Sequence, residues 1–177
     1  MKTIAILILA VIVIALISSL VFYVLFERMF IFRNNIPVKV VNLTDWPLPQ
    51  YESEGASGLD VRANIQSAIK LVRHERVTIP TGLKMSIPDG YECQVRPRSG
   101  LARKNGVIAS LGTIDSDYRG EVGITLINTS TEEYIINPGD RVAQIVFAPV
   151  EHIAWEEVQV LDETARGEKG FGSTGKK

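Results

Sequence analysis

The 177-residue chain has a single cysteine, Cys93, and only two histidines, His74 and His152. One cysteine excludes an intrachain disulfide and fits a reducing compartment. So few sulfur and imidazole groups also argue against a Cys/His zinc site. Cys93 lies in "YECQVRP", where a buried strand thiol is expected rather than a nucleophile, and His74 in the charged "RHER" is expected to be solvated. A basic excess is missing too, with 19 Lys and Arg against 20 Asp and Glu. Residues 1–33 hold Lys2, Arg28, Arg33 and Glu27, which leaves 16 basic and 19 acidic residues in the rest. Such a mildly acidic body has no field to collect polymeric nucleic acid. Beyond residue 33 there is no amphipathic helix of convincing length and no internal repeat.

Charge is absent altogether from Ile4 to Phe26, "IAILILAVIVIALISSLVFYVLF", where only two serines interrupt the apolar run. That run is long enough to cross a hydrocarbon core of roughly 30 Å as a helix. A cleaved signal peptide would have an apolar region of only ~7–15 residues and a small-residue cleavage site. Here the run leads into "FERMFIFR" with no Ala-x-Ala pattern. The sequence therefore predicts one transmembrane helix through residues 4–26, within an anchor over residues 1–33. Lys2 on one side against Arg28, Arg33 and Lys39 on the other places the C-terminal domain in the cytoplasm.

What is present after the anchor is β-sequence. "IPVKVVNL" begins it, followed by short apolar runs at Val77–Pro80, Leu83–Ile87, Tyr91–Val95, Val107–Ala109, Val122–Ile127 and Arg141–Val150. The turns between them include "PTG", "PDG", "RSG", "YRG" and "NPGD". Six or more short strands at this spacing predict an all-β sandwich or barrel over residues 34–161. "GLARKNG" after Ser99 is a candidate short helix. From Asp162 to Lys177 the chain is glycine and charge around one large apolar residue, Phe171, which reads as a flexible arm.

Several segments carry groups suited to phosphate chemistry. Gly170, Gly172 and Gly175 satisfy G-x-G-x-x-G, but that fingerprint must follow a strand and open a helix, and here the chain ends two residues later. The underlying physics survives in a glycine-rich lid whose backbone N–H groups, with Ser173, Thr174 and Arg166, approach phosphate oxygens. "RPRSGLA" supplies guanidinium groups, the Ser99 hydroxyl and Gly100. "GASGLDVRA" places Asp60 at the start of a strand, where a lone carboxylate can cap, pair, or orient magnesium-bound water. In "GDRVAQIVF", alternation puts Arg141, Ala143 and Ile145 on one face and Val142, Gln144 and Val146 on the other. "GTIDSDYRG" brings Asp115, Asp117, Tyr118 and Arg119 between two glycines.

In order, "GASGLDVRA", "RPRSGLA", "GTIDSDYRGEVGITLIN", "GDRVAQ" and "RGEKGFGSTG" resemble the five motifs of the trimeric dUTPases, the deoxyuridine triphosphate nucleotidohydrolases. The resemblance covers about residues 37–175. It implies a distorted jelly-roll β-barrel assembling as a homotrimer, with active sites at the subunit contacts and C-terminal arms closing from a neighbour. It implies Mg²⁺-dependent cleavage of dUTP to dUMP and pyrophosphate, keeping uracil out of DNA and supplying dUMP for thymidylate synthesis. By the resemblance, Asp115 orients the attacking water and bonds the 3′-OH, and Gln144 helps hold that water. Tyr118 packs beneath the deoxyribose and excludes a 2′-OH, while backbone around Thr113, Ile114 and Gly123 reads uracil. Arg98, Ser99 and Gly100 contact phosphates, and Asp60 sits near the metal through water. From the arm, Arg166 meets the γ-phosphate, Phe171 stacks on uracil, and Gly172, Ser173 and Thr174 close over the phosphates. Asp117 is left as a turn residue.

Two features depart from the family pattern. "GVIASLGTID" is short and offers Ser110 where many members have an asparagine supporting uracil recognition, and the hydrophobic N-terminus is an addition. Two other readings stand beside hydrolysis. A dCTP deaminase needs a glutamate where Thr125 stands in "GITLIN" and lacks such an arm. A membrane-tethered regulator that senses dUTP occupancy would need no Asp115, Gln144 or arm for turnover.

Overall fold

The computed structural model describes residues 12–23 and 35–170. Its strands are β1 (Lys39–Asn42), β2 (Leu59–Arg62), β3 (Ile69–Leu71), β4 (Arg76–Ser86) and β5 (Tyr91–Arg96), then β6 (Val107–Ala109), β7 (Gly112–Ile114), β8 (Glu121–Asn128), β9 (Tyr134–Ile136) and β10 (Arg141–Pro149). A short helix, α1 (Ser99–Asn105), lies between β5 and β6. Strand β8 shows why the sequence folds this way. Val122, Ile124, Leu126 and Asn128 alternate inward, and Ile124 and Leu126 have no exposed surface. Burying each such side chain stabilises by about 1.5–3 kcal/mol relative to leaving it in water. The neighbouring strands β4 and β6 contribute Ile79 and Val107, and the other sheet contributes Val61, Val95, Val142 and Ile145, to the same core.

The strands form two four-stranded antiparallel sheets, ordered β1-β4-β8-β6 and β2-β10-β5-β7, with β3-β9 as a separate pair. The fold is mostly β, as expected, but the expected barrel is not closed. Among the described residues no pairing joins the edge strands β1 and β6 of one sheet to β2 and β7 of the other. The connection between β7 and β8 folds on itself, with the Tyr118 N–H donating to Asp115 O at 3.2 Å and the Arg119 guanidinium donating to the carbonyls of Ser116 and Tyr118. β7 and β8 lie in different sheets, and β7 is an edge.

The run "VTIPTGLKMS" is one strand rather than two. Its ladder with β8 breaks between Pro80 and Lys84. Thr81 Oγ1 donates to Val122 O at 2.7 Å, and Gly82 N–H donates to Glu121 Oε1 at 2.6 Å, so polar groups freed by the break stay bonded.

At the N-terminus the described helical stretch is residues 12–23. Among the described residues no helix is long and apolar enough to cross a membrane. The rest of the expected anchor, residues 1–11 and 24–33, lies outside them.

Candidate active site

Strand β10 organises the polar cluster. Gln144 pairs with Asp60 of β2 on one side and Arg96 of β5 on the other, so these three side chains share the outer face of the sheet. Gln144 Nε2 donates to Pro97 O at 2.9 Å. Its side chain lies across Gly58, where an added Cβ would come within 2.2 Å of Gln144 Oε1. A larger residue in place of the glycine of "ASGLD" would therefore displace the Gln144 amide.

Arg98 is the N-cap residue of α1, with extended backbone (φ −86°, ψ 123°). Its side chain does not cap the helix. Nε meets Asp60 Oδ1 at 2.9 Å and Nη1 donates to Arg141 O at 2.8 Å. Asp60 and Arg98 are 18% and 29% exposed, half-buried enough for the pair to be partly shielded from screening. Ser99 and Gly100 follow in the exposed first turn, whose N–H groups have no partner within the helix.

The alternation expected for β10 fails at one point. The register shifts between Arg141 and Ala143, so Val142 and Ala143 are both buried, at 1% and 0%. This β-bulge moves Arg141 onto the face of Gln144 rather than the opposite one. Arg141 Nη1 then lies 3.4 Å from Asp60 Oδ2 and 2.7 Å from Glu52 Oε1. Sequence reading missed both Arg141 and Glu52 as members of the cluster. "YESEG" carried no signal beyond its charge.

The hairpin residues lie elsewhere. Thr113 of β7 pairs with Gln94, and Ile114 with Cys93. Asp115 follows, exposed, four residues along and two strands over from Gln144. At ~3.4 Å per residue and ~4.8 Å per strand, the separation is on the order of 15 Å. Ile114 buries its side chain in the core and presents only backbone. As β7 is an edge strand, its outer main-chain groups face away from any partner strand. Tyr118 is 45% exposed, with its hydroxyl donating to Glu121 O at 3.1 Å and its ring folded over Gly120. Gly123 lies in β8 opposite Pro80. The shortened loop places Ser110 N–H on Thr125 O at 2.8 Å and leaves Leu111 76% exposed.

Cys93 is fully buried, and desolvation, with Glu92 adding to it, pushes its thiol up to about 12. It is inert, as its strand context implied. Burial and Asp140 raise the Tyr134 hydroxyl, with Arg98 opposing. Arg166 is exposed in a turn, its Nε bonded to Lys169 O at 2.8 Å. Phe171, Gly172, Ser173 and Thr174 lie outside the described residues.

A family model described as dUTPase matches residues 44–175, about three quarters of the chain. The chain belongs to the dUTPase family. A deoxyuridine 5′-triphosphate nucleotidohydrolase of Fusobacterium nucleatum is 52% identical over 143 residues, covering 80% of this chain and 98% of the relative. One from Chlamydia felis is 55% identical over 135 residues, covering 73% and 92%. Among solved structures, a mutant dUTPase of Staphylococcus bacteriophage 80alpha with dUpNHpp superposes with a TM-score of 0.72 at 26% identity, over 78% of this chain and 98% of that one. The dUTPase match leaves residues 1–43, including the apolar run, outside it.

Proposed function

We infer that this dUTPase hydrolyses dUTP to dUMP and pyrophosphate in a site shared between copies of the chain. It is a dUTP diphosphatase, the activity for which its relatives at about 52% identity are named. What supports the site reading is the register that sets its two halves two strands and about four residues apart. Asp60, Arg98 and Gln144 converge on one face, while Asp115 and Tyr118 stand on the order of 15 Å away by strand spacing. One phosphorus atom cannot be served by both halves of one chain. A homotrimer with sites at its contacts brings the hairpin of one copy to the cluster of another. The exposed Ile153, Trp155, Val160 and Leu161 after β10 supply apolar surface for such contacts.

In this reading Asp115 accepts the proton of the attacking water and bonds the 3′-OH, and Gln144 orients that water. The edge of β7 at Thr113 and Ile114, with Gly123, reads the uracil edge. The Tyr118 ring leaves no room for a 2′-OH. Arg98, Ser99 and Gly100 bind phosphate oxygens, and Arg166, Phe171, Gly172, Ser173 and Thr174 form the closing arm. Among the described residues no group of three or more His, Cys, Asp or Glu is placed to hold a metal. A single carboxylate, Asp60, fits a magnesium ion that arrives on the triphosphate and keeps its waters. Bound there, magnesium would neutralise developing phosphate charge.

The division into an anchor over 1–33, a β domain over 34–161 and an arm over 162–177 belongs to the same proposal. So does attachment to a membrane through residues 4–26 with the catalytic domain cytoplasmic, which the uncharged run supports. Fractionation of the full chain tests it, and a wholly soluble full-length chain overturns it. For the activity, the chain is assayed with Mg²⁺ against dUTP, dCTP, dTTP and UTP. Pyrophosphate release confined to dUTP is expected. Ammonia from dCTP, or dUTP binding without turnover, would replace hydrolysis by deamination or by sensing.

A further inference from the structure

Both oxygens of Asp60 are engaged. Oδ1 takes Arg98 Nε at 2.9 Å and Oδ2 lies 3.4 Å from Arg141 Nη1. The two arginines are not held alike. Arg98 is also tied to the backbone of β10 through its Nη1 bond to Arg141 O at 2.8 Å, so it stays at the site. The Arg141 Nη1 divides between two carboxylates, and the shorter contact, 2.7 Å, goes to Glu52. Glu52 comes from the loop before β2, where a turn closed by Ala56 N–H on Ser53 O at 3.0 Å follows it. An Asp60 flanked by two guanidinium groups is a poor acceptor for a water bound to a dication, because each cation repels the metal.

We propose that Glu52 is a positioning residue, the acceptor onto which Arg141 withdraws when Asp60 turns Oδ2 to a water of the incoming magnesium triphosphate. The inference rests on the reading of Asp60 given above. No bond is made or broken. One guanidinium moves from a shared position to a single carboxylate, and Asp60 keeps Arg98 while its second oxygen becomes available. Glu52 is 69% exposed at its side chain and Arg141 40%, so screening limits the effect.

The test is calorimetry on the full chain with non-hydrolysable dUpNHpp at fixed concentration and Mg²⁺ titrated. Glu52→Ala and Glu52→Gln are expected to need about two- to fivefold more Mg²⁺ for half-saturation, the range of an exposed ion pair. Nucleotide affinity without metal and the melting temperature stay at the wild-type values, and Glu52→Asp restores the Mg²⁺ requirement. In an Arg141→Ala background, Glu52→Ala has no further effect, because the group to be withdrawn is gone. An unmoved Mg²⁺ requirement in chains whose wild type binds dUpNHpp overturns the inference alone. The same holds if the shift persists undiminished without Arg141. A wild type that binds no dUpNHpp overturns the site reading and this inference with it.

Discussion

The amide of Gln144 lies directly over the backbone of Gly58, with room for nothing larger than hydrogen between them. Gly58→Ala is therefore expected to push the amide off Pro97 O while leaving the core of β10 intact. Misplacing a water-orienting group costs on the order of 100-fold in kcat. Steady-state kinetics with unchanged thermal unfolding check this, and a wild-type kcat would remove Gln144 from the machinery.

Asp115→Asn keeps the shape of the hairpin and removes the base. Binding of dUpNHpp should survive while turnover falls by roughly 10²–10⁴-fold. The same variant tests the shared site. Mixed by refolding with Gln144→Ala, itself inactive, it should yield activity well above either parent, about a quarter of the sites being intact under random assembly of a symmetric oligomer. Mixtures no more active than the parents would put both halves of the site in one chain.

The buried Cys93 makes stability fall in alkali. Its thiol is raised from 9.0 to about 12 in the fold, so the neutral form is favoured there. The contribution is fully present below pH 9. Above that the unfolded thiol ionises first, and the stability is lost progressively as pH rises to about 12. Urea unfolding between pH 8 and 11 should show a downward slope that Cys93→Ala reduces.

Asn128 is fully buried and completely bonded. Its Nδ2 donates to Leu71 O and Glu132 O at 3.0 and 2.7 Å, and its Oδ1 accepts from Ser130 N–H and Oγ at 2.9 and 2.7 Å. Asn128→Ala removes the amide donor to the buried Leu71 O and opens a cavity at a fully buried site, and should cost about 2–4 kcal/mol of stability. Denaturant unfolding measures the loss, and the KM for dUTP of the folded fraction should be unchanged.

Local signals made the β composition, the apolar run of β8 and the buried Cys93 thiol legible in the sequence. Motif order singled out Asp60, Arg98 and Gln144, which the fold does bring together. The misses have physical causes. Strict alternation sent Arg141 to the wrong face because a bulge adds one residue, and nothing in "GDRVAQ" marks it. "PTG" reads as a turn, yet Glu121 and Thr81 bond the groups that the ladder break frees, and the strand continues. Glu52 meets Arg141 and Asn128 meets Leu71 across long stretches of chain, and no short window of sequence contains those pairs.

The separation of Asp115 from Gln144, about 15 Å by strand spacing, has a consequence for how activity begins. Under the shared-site reading, a chain just released from synthesis is folded but catalytically silent. Onset then depends on the concentration at which copies meet, so dilution extinguishes turnover without unfolding anything. A damaged hairpin likewise silences the site framed by a healthy neighbour and not the one framed by its own chain's cluster, so the lesion and the lost site lie in different copies.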